Sequence, residues 1–393
     1  MRTLILDNGS YTIKAGYADT QAPQHFPNTI TRTRRTKRIQ VGDLSTHTSD
    51  LSGLYFRSPF DRGHLVHWDV QLPIWDRLLS NDCLQCTPAV TQLVMTEPMF
   101  NFSRCQKQTD EIVFEEYGFA SFARMPAPTL CAAAAAAGEQ VDGCVLVVDL
   151  GHTCSYVVPV CNGVVVRGAV RRVDIGGRML TNYLKETVSF RHWDMMDESF
   201  IVDSVKRKTC YVALDFHNRL ATTRLQQPLR YVLPDFTHSK QGFIHGDDPE
   251  ALALMENPQV LPLGNERFAI PEALFFPQDV GLDDQGGVHL AIMQAAEACG
   301  EDLRGLMLGN IVLVGGTARL DGLRERVERE VRALALVEDH VAVTVGCAGS
   351  DDPAECAWWG GAREVNDSGR FVKKELYEEW GPERTLQYFD KLV

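Results

Sequence analysis

The chain of 393 residues is 45% hydrophobic and carries a formal net charge of −13. This length and apolar content suffice for two domains with buried cores, and they exclude an intrinsically disordered protein. No apolar run approaches the roughly 20 residues that a membrane span needs, so we expect no membrane partner. The acidic balance excludes a surface that binds nucleic acid throughout, because phosphate binding rewards clustered lysine and arginine.

The first predicted element is a β-hairpin. The opening, RTLILDNGSYTIKAGYA, is an apolar strand, a turn containing Gly9 and a second alternating stretch. A similar pattern, VLVVDLGHTCSYVVPVCNGVVV, begins at Val145. The repeated pattern indicates two α/β lobes that are built on one plan and face each other.

A basic run follows the first hairpin. Between Arg32 and Arg38 the chain reads RTRRTKR, with five basic residues in seven. Such a run is typical of a solvated hairpin edge that charge keeps soluble, and also of a contact with DNA or an acidic partner. The sequence leaves both interpretations open.

Four later segments are recognisable in chain order. APTLCAAAAAAG, which ends at Gly138, predicts a buried helix, and the polar stretch at residues 235–260 predicts an inserted loop with a helical turn. GNIVLVGGTARLDGLRERVEREVRALAL predicts a strand, a Gly315-Gly316 turn and a helix. FVKKELYEEWGPE predicts a surface helix that stops at Gly381.

The eleven cysteines lack the regular spacing of a disulfide framework. Several, such as Cys144 and Cys161, fall in apolar strand-like runs and are expected to be reduced core residues. Cys83 and Cys86 have CxxC spacing, but a structural zinc site needs two more ligands, and no second pair is in register with them. The sequence therefore predicts no structural zinc.

Three glycine-containing turns each follow an apolar strand: DNGS at Asp7, DLGH at Asp149 and VGGT at Val314. Glycine lets backbone N–H groups approach phosphate oxygens, and an aspartate beside it can hold a hydrated divalent cation. One such turn is a weak signal, because Asp-Gly turns are also common in ordinary hairpins. Three of them together predict a nucleotide cleft between the lobes.

The stretch LDNGSYTIKAGYA resembles the first phosphate loop of actin, and the similarity continues in order along almost the whole chain. Further matching stretches are HWDVQLPIWDRLL, VMTEPMFN, VDIGGRMLTNYL, KTCYVALDF, GNERFAIPEALFFP and VGGTARLDGL. The chain is therefore identified as a member of the actin-related proteins. The resemblance implies an α/β, actin-like fold of two similar lobes, with mixed sheets flanked by helices, around a nucleotide cleft.

The resemblance also implies four subdomains. Actin uses a hydrophobic loop of subdomain 2 in its filament, whereas this chain has the basic run and a polar segment there, so we expect no homopolymer. The predicted ranges are 1–31, 60–138 and 338–393 for subdomain 1, 32–59 for subdomain 2, 139–176 and 267–337 for subdomain 3, and 177–266, with an insertion near 235–260, for subdomain 4.

The resemblance assigns a set of residues to the nucleotide site. Asp7 and Asp149 would face magnesium through water, Lys14 would neutralise phosphate charge, and Lys206 would lie beside the base. The full set expected to contact ATP or ADP is Asp7, Asn8, Gly9, Ser10, Lys14, Asp149, Gly151, Gly176, Gly177, Lys206, Gly315, Gly316 and Thr317.

The chain departs from actin where actin performs hydrolysis. Actin positions the attacking water with a glutamine and a histidine, and these positions fall on Thr129 and Tyr156 here. The second phosphate loop has also lost a carboxylate and a glycine, and an actin glutamate near the ribose becomes Arg207. The sequence therefore predicts no catalytic residue and no efficient hydrolysis, and it leaves nucleotide binding open.

Within the family, the chain most resembles a nuclear class whose members are structural subunits of SWR-type chromatin-remodelling complexes. The resemblance implies a scaffold located in the nucleus, with some in the cytoplasm. Its expected partners are a remodeller ATPase subunit, a zinc-HIT subunit, and nucleosomal DNA or histones during histone variant exchange. The alternatives are a cytoskeletal actin-related protein and an active actin-like ATPase, which partner identification would separate.

Overall fold

The computed structural model describes residues 1–33, 39–47, 54–135, 143–223, 226–347, 350–364 and 368–391. Within these residues the strands are β1 Arg2–Asn8, β2 Thr12–Tyr17, β3 Gln24–Pro27, β4 Ile30–Thr33, β5 Ile39–Val41, β6 Leu54–Arg57, β7 Phe60–Asp61, β8 His64–Leu65, β9 Thr91–Glu97, β10 Ser121–Pro126, β11 Cys144–Leu150, β12 Ser155–Cys161, β13 Val164–Val165, β14 Arg171–Val173, β15 Leu229–Val232, β16 Phe243–Ile244, β17 Val260–Leu263, β18 Ile311–Val314, β19 Val343–Val345 and β20 Val372–Lys373.

Thirteen α-helices flank these strands in the described parts of the chain, and none of the thirteen is long and apolar enough to cross a membrane. They are α1 Trp68–Leu79, α2 Ser103–Glu111, α3 Ala127–Ala135, α4 Gly177–Arg191, α5 Ser199–Thr209, α6 Phe216–Thr223, α7 Pro249–Leu254, α8 Glu266–Glu272, α9 Val288–Ala298, α10 Glu301–Leu308, α11 Leu323–Leu334, α12 Cys356–Glu364 and α13 Lys374–Asp390.

Two mixed sheets of six strands form the two lobes. The first has the order β20-β10-β9-β1-β2-β3, and the second has the order β13-β12-β11-β18-β19, with β14 added on β12. In both, a hairpin (β1–β2 or β11–β12) pairs in parallel with a later strand (β9 or β18) that has a further parallel neighbour. The prediction of two similar α/β lobes is confirmed.

Three smaller sheets extend the lobes. Strands β4, β5 and β6 form one, β15, β16 and β17 form another, and β7 pairs with β8. The first two lie within or next to the ranges predicted for subdomains 2 and 4. The four subdomain boundaries themselves stay a prediction.

Helix α3 connects β10 of the first lobe to β11 of the second and packs against α12. The contact is so close that a Cβ atom at Gly360 would lie 1.8 Å from the carbonyl oxygen of Leu130. Trp358 of α12 is fully buried in the core cluster that contains side chains from both sheets. The predicted buried helix is confirmed, and its expected stop at Gly138 lies outside the described residues. Helices α3 and α12 pack together in the core that the two lobes share.

The structure corrects one expectation about local structure and extends another. The 235–260 stretch is more than a loop with a helical turn, since it supplies β16 as well as α7. The first part of α13 ends at Gly381 as expected, because Gly381 takes φ +71° and ψ 174°, and Pro382 begins a second helical segment across the kink. Cys144 and Cys161 face each other directly across β11 and β12, so their sulfur atoms lie in contact.

Candidate functional site

A cleft of about 1880 Å³ separates the two lobes. It opens where β1, β11 and β18 end, which is where the three glycine turns follow their strands. Gly176, one of the expected site residues, lies behind the lining, where a Cβ atom would be 2.7 Å from the carbonyl oxygen of His152. The expected residues that line the cleft are Asp7, Asn8, Gly9, Ser10, Lys14, Asp149, Gly151, Gly177, Lys206, Gly315, Gly316 and Thr317.

The first turn presents a charged pair to the cleft. Lys14 Nζ lies 3.0 Å from Asp7 Oδ2, and the hydroxyl of Thr96 donates to Asp7 Oδ1 at 2.9 Å. Gly9 keeps the turn tight, because a Cβ atom there would be 2.7 Å from the carbonyl oxygen of Thr12. The ammonium group of Lys14 is thereby held at the phosphate side of the cleft.

The second turn adds Asp149, which is partly buried and lines the cleft. Burial is the main cause that raises the pKa of Asp149 to about 6; the charge of Asp7 adds to the rise and that of Lys14 opposes it. Gly315, at φ +90°, approaches so closely that a Cβ atom would be 2.9 Å from Asp149 Oδ1. The charges of Asp7, Asp149 and Lys14 therefore act on one another, while only Asp7 is paired with the lysine, and a hydrated divalent cation would stabilise this arrangement.

Asp149→Asn is expected to stabilise the nucleotide-free protein more at pH 7.5 than at pH 4. The native carboxyl keeps its proton up to about pH 6, whereas the unfolded one releases it near ~4. Wild type therefore loses on the order of 3 kcal/mol relative to the variant as pH rises through that window. Urea unfolding of both proteins across the window measures this; a difference that does not change with pH would contradict it.

The base side of the cleft is occupied by contacts within the protein. The ammonium group of Lys206 donates to the Gly177 carbonyl oxygen at 2.8 Å, to Thr181 Oγ1 at 2.7 Å and to Asp203 Oδ1 at 2.9 Å. These bonds use all three protons of the lysine, which is buried. The hydroxyl of Thr317 likewise donates to the carbonyl oxygen of Gly151 at 3.2 Å. Neither side chain has a proton to spare for a nucleotide base.

Sequence reasoning missed Tyr11 and Asp203. Tyr11 follows Ser10 in the first turn, and its hydroxyl donates to Asp203 Oδ2 across the cleft at 2.9 Å. His152 packs on the Tyr11 ring with 4.7 Å between ring centroids, and burial lowers the pKa of His152 to about 4, so the imidazole is neutral near pH 7. The signal in the sequence was a bulky aromatic residue inside a phosphate-loop pattern.

The two positions expected to replace the water-positioning groups lie in different environments. Tyr156 lines the cleft, and its hydroxyl accepts from Arg172 at 2.9 Å. Thr129 does not line it, and its hydroxyl has no hydrogen-bond partner among the described residues. Pro128 faces the cleft instead. Proline has no side-chain donor or acceptor, so Pro128 cannot orient water either.

The other candidate sites have less structural support. Of the basic run, Arg32 lies in β4 and residues 34–38 lie outside the described residues, so neither interpretation of the run is tested. Among the described residues, neither Cys83 nor Cys86 belongs to a group of potential metal ligands; the one such group is His25, Asp352 and Glu355. Asp352 is already paired with a guanidinium group and Glu355 with His25, so protein donors occupy these carboxylates.

The arrangement fits the phosphates of a magnesium nucleotide better than its base. On the phosphate side, Lys14 and the two carboxylates are present. On the base side, Lys206 is fully bonded to the protein. The assignment of these residues to a nucleotide stays a prediction.

Comparison with known proteins gives a consistent result. The family model described as Actin matches residues 1–389. Actin-like protein ARP6 of Cryptococcus neoformans var. neoformans serotype D (strain B-3501A) is 36% identical, covering 99% of this chain and 82% of that protein. Actin-related protein 6 of Drosophila melanogaster is 36% identical, covering 96% and 97%, and that of Oryza sativa subsp. indica is 34% identical, covering 98% of each.

Proposed function

Because the chain belongs to the actin family, we propose that it is a non-catalytic actin-related scaffold subunit of a nuclear SWR-type chromatin-remodelling complex. Proteins of this family bind ATP or ADP with magnesium. We propose that the cleft of this chain can bind the nucleotide but does not hydrolyse it efficiently. The observation that carries the proposal is that Tyr156, at the position where the resemblance to actin expects a histidine, lines the cleft with its hydroxyl bonded to Arg172, and that Pro128, which has no side-chain donor, lines the cleft as well.

In this proposal a bound nucleotide is a structural ligand. Lys14 and the turn at Gly9 would hold the phosphates, and Asp7 and Asp149 would hold magnesium through water. Magnesium supplies neutralisation of phosphate charge when it is bound. Positioning of water provides much of the rate of phosphoryl transfer, and the Tyr156 hydroxyl is instead held by Arg172.

We expect ATP turnover to be on the order of 100-fold slower than that of actin, because removal of one preorganised polar group commonly costs that much. Single-turnover hydrolysis with magnesium measures the rate. Pro128→Gln combined with Tyr156→His should raise it, since both positions line the cleft.

Thr129→Gln combined with Tyr156→His is the matched control and should leave the rate low, because Thr129 lies outside the cleft lining. Turnover of wild type at the rate of actin, abolished by Asp149→Asn, would overturn the proposal and favour an active actin-like ATPase.

The assembly role is supported by similarity along nearly the whole chain to relatives named Actin-related protein 6 or ARP6 from two fungi, an insect and a plant. We propose a location in the nucleus, with some in the cytoplasm, and contacts with a remodeller ATPase subunit, a zinc-HIT subunit and nucleosomal DNA or histones. We also propose that the chain forms no homopolymer.

Purification of the tagged protein from its native source, followed by mass spectrometry of copurifying proteins and bound nucleotide, tests the assembly role. A remodeller ATPase together with a zinc-HIT subunit is the expected result. Cytoskeletal partners with bound ADP would replace the scaffold proposal by the cytoskeletal alternative, and a free nuclear monomer would contradict both.

A further inference from the structure

A set of side chains joins the two lobes directly across the mouth of the cleft. Tyr11 belongs to the β1–β2 turn of the first lobe, and Asp203 and Arg207 belong to α5 of the second. The hydroxyl of Tyr11 donates to Asp203 Oδ2 at 2.9 Å and accepts from Arg207 at 2.9 Å. Arg207 and Asp203 also form an ion pair at 2.7 Å. The three residues close a ring of bonds that spans the cleft.

The charges around these three residues favour the bonds among Tyr11, Asp203 and Arg207. Asp203 is 7% exposed and receives Lys206 at 2.9 Å as well as Arg207. Although burial acts to raise the pKa of Asp203, the two cations hold it well below its usual range, and burial raises the pKa of the Tyr11 hydroxyl. Near pH 7 the carboxylate is therefore charged and the phenol protonated, which are the states that bond most strongly to each other.

Two more contacts cross the cleft on either side of the ring. Deeper inside, the hydroxyl of Thr153 in the second phosphate turn donates to Ser10 Oγ in the first at 2.9 Å. Farther out, the ring of Phe56, from β6, stacks on that of Phe200, from α5, with 6.1 Å between centroids and 8° between planes. The lobes thus meet at three levels through side chains of the chain itself.

We propose that Tyr11, Asp203 and Arg207 form a cross-cleft latch that holds the lobes closed in the absence of nucleotide. In a two-lobed protein that lacks such bonds, a ligand that binds both lobes would stabilise closure by mass action. Here bonds within the chain take that role, so the closed shape is independent of nucleotide. The inference goes beyond the scaffold proposal, because it concerns the isolated chain and would hold whatever its partners are.

The latch is tested by hydrogen exchange on the full chain, freed of nucleotide with apyrase and EDTA. Tyr11→Phe removes one hydroxyl and keeps the ring against His152. We expect roughly tenfold faster exchange in the cleft-lining segments 9–17 and 177–185 and a larger radius of gyration by X-ray scattering. Asp203→Asn should act in the same direction, and the double variant should be less affected than the sum of the two.

Tyr117→Phe is the matched control, because the hydroxyl of Tyr117 donates to Asp76 at 2.9 Å entirely within the first lobe. It should leave exchange in the cleft segments unchanged. If Tyr11→Phe does not fold, Arg207→Gln makes the same comparison while Asp203 keeps its bond to Lys206. Equal cleft exchange in wild type and in the latch variants would overturn the proposal, as would additive effects of Tyr11→Phe and Asp203→Asn.

Discussion

Gly360→Ala is expected to destabilise the protein by about 3 kcal/mol or more. Helix propensity alone predicts the opposite, since alanine in a helix interior is favoured over glycine by ~1 kcal/mol. Here the added Cβ atom would lie 1.8 Å from the Leu130 carbonyl oxygen, which is backbone in α3 and cannot rotate away. The helix pair that joins the lobes would have to separate, and Trp358 beside it would lose packing.

Thermal and urea unfolding of purified variants measure this effect. Gly168→Ala is the matched control, because no described atom lies within 4 Å of a Cβ built there, and its stability should stay within ~0.5 kcal/mol of wild type. If Gly360→Ala is as stable as Gly168→Ala, the close packing of α3 on α12 is wrong.

Arg326→Leu is expected to cost about 3–5 kcal/mol, because it leaves a buried carboxylate without its partner. The guanidinium group of Arg326 bonds both oxygens of Glu272, at 2.8 and 3.2 Å, and also the carbonyl oxygen of Ala213. Both residues of the pair are at most 5% exposed. Burial already raises the pKa of Glu272, and the arginine opposes that rise. Without Arg326 the carboxyl of Glu272 would take up a proton or the helices α8 and α11 would part.

Adding Glu272→Gln to Arg326→Leu should recover part of the loss, because the neutral amide removes the unpaired charge. Arg324→Leu on the same helix is the control; its side chain is 44% exposed and pairs only with surface glutamates, so we expect a change below ~1 kcal/mol. Urea unfolding at neutral pH compares the variants. Equal losses for Arg324→Leu and Arg326→Leu would show that the buried pair has no special role.

Local pattern was enough to predict much of the fold. The two hairpins at Arg2–Tyr17 and Cys144–Cys161, the buried helix α3 and the β18–α11 unit follow from runs of apolar residues and their spacing. These signals act over a few residues, and the surrounding chain does not change them. The prediction was wrong where long-range pairing determines the local structure. In the 235–260 segment, strand β16 forms because it pairs with β15.

The sequence predicted which residues belong to the site, and the structure showed what surrounds each of them. Twelve expected residues line one cleft because three strands end at the same place. Thr129, the position that the resemblance assigns to a water-positioning residue, does not line the cleft, whereas its neighbour Pro128 does. A helix advances 100° per residue, so neighbouring residues face different directions.

The sequence by itself determined the two-lobed α/β architecture and the absence of glutamine and histidine from the expected hydrolytic positions, because both are properties of residue type and order. Only the tertiary structure decided that Arg326 is buried on Glu272, that Lys206 is fully bonded within the protein, and that Tyr11 reaches Asp203, 192 residues away in the chain. Such contacts depend on how distant elements pack. Because these groups are buried, leaving any of them without its partner would cost free energy.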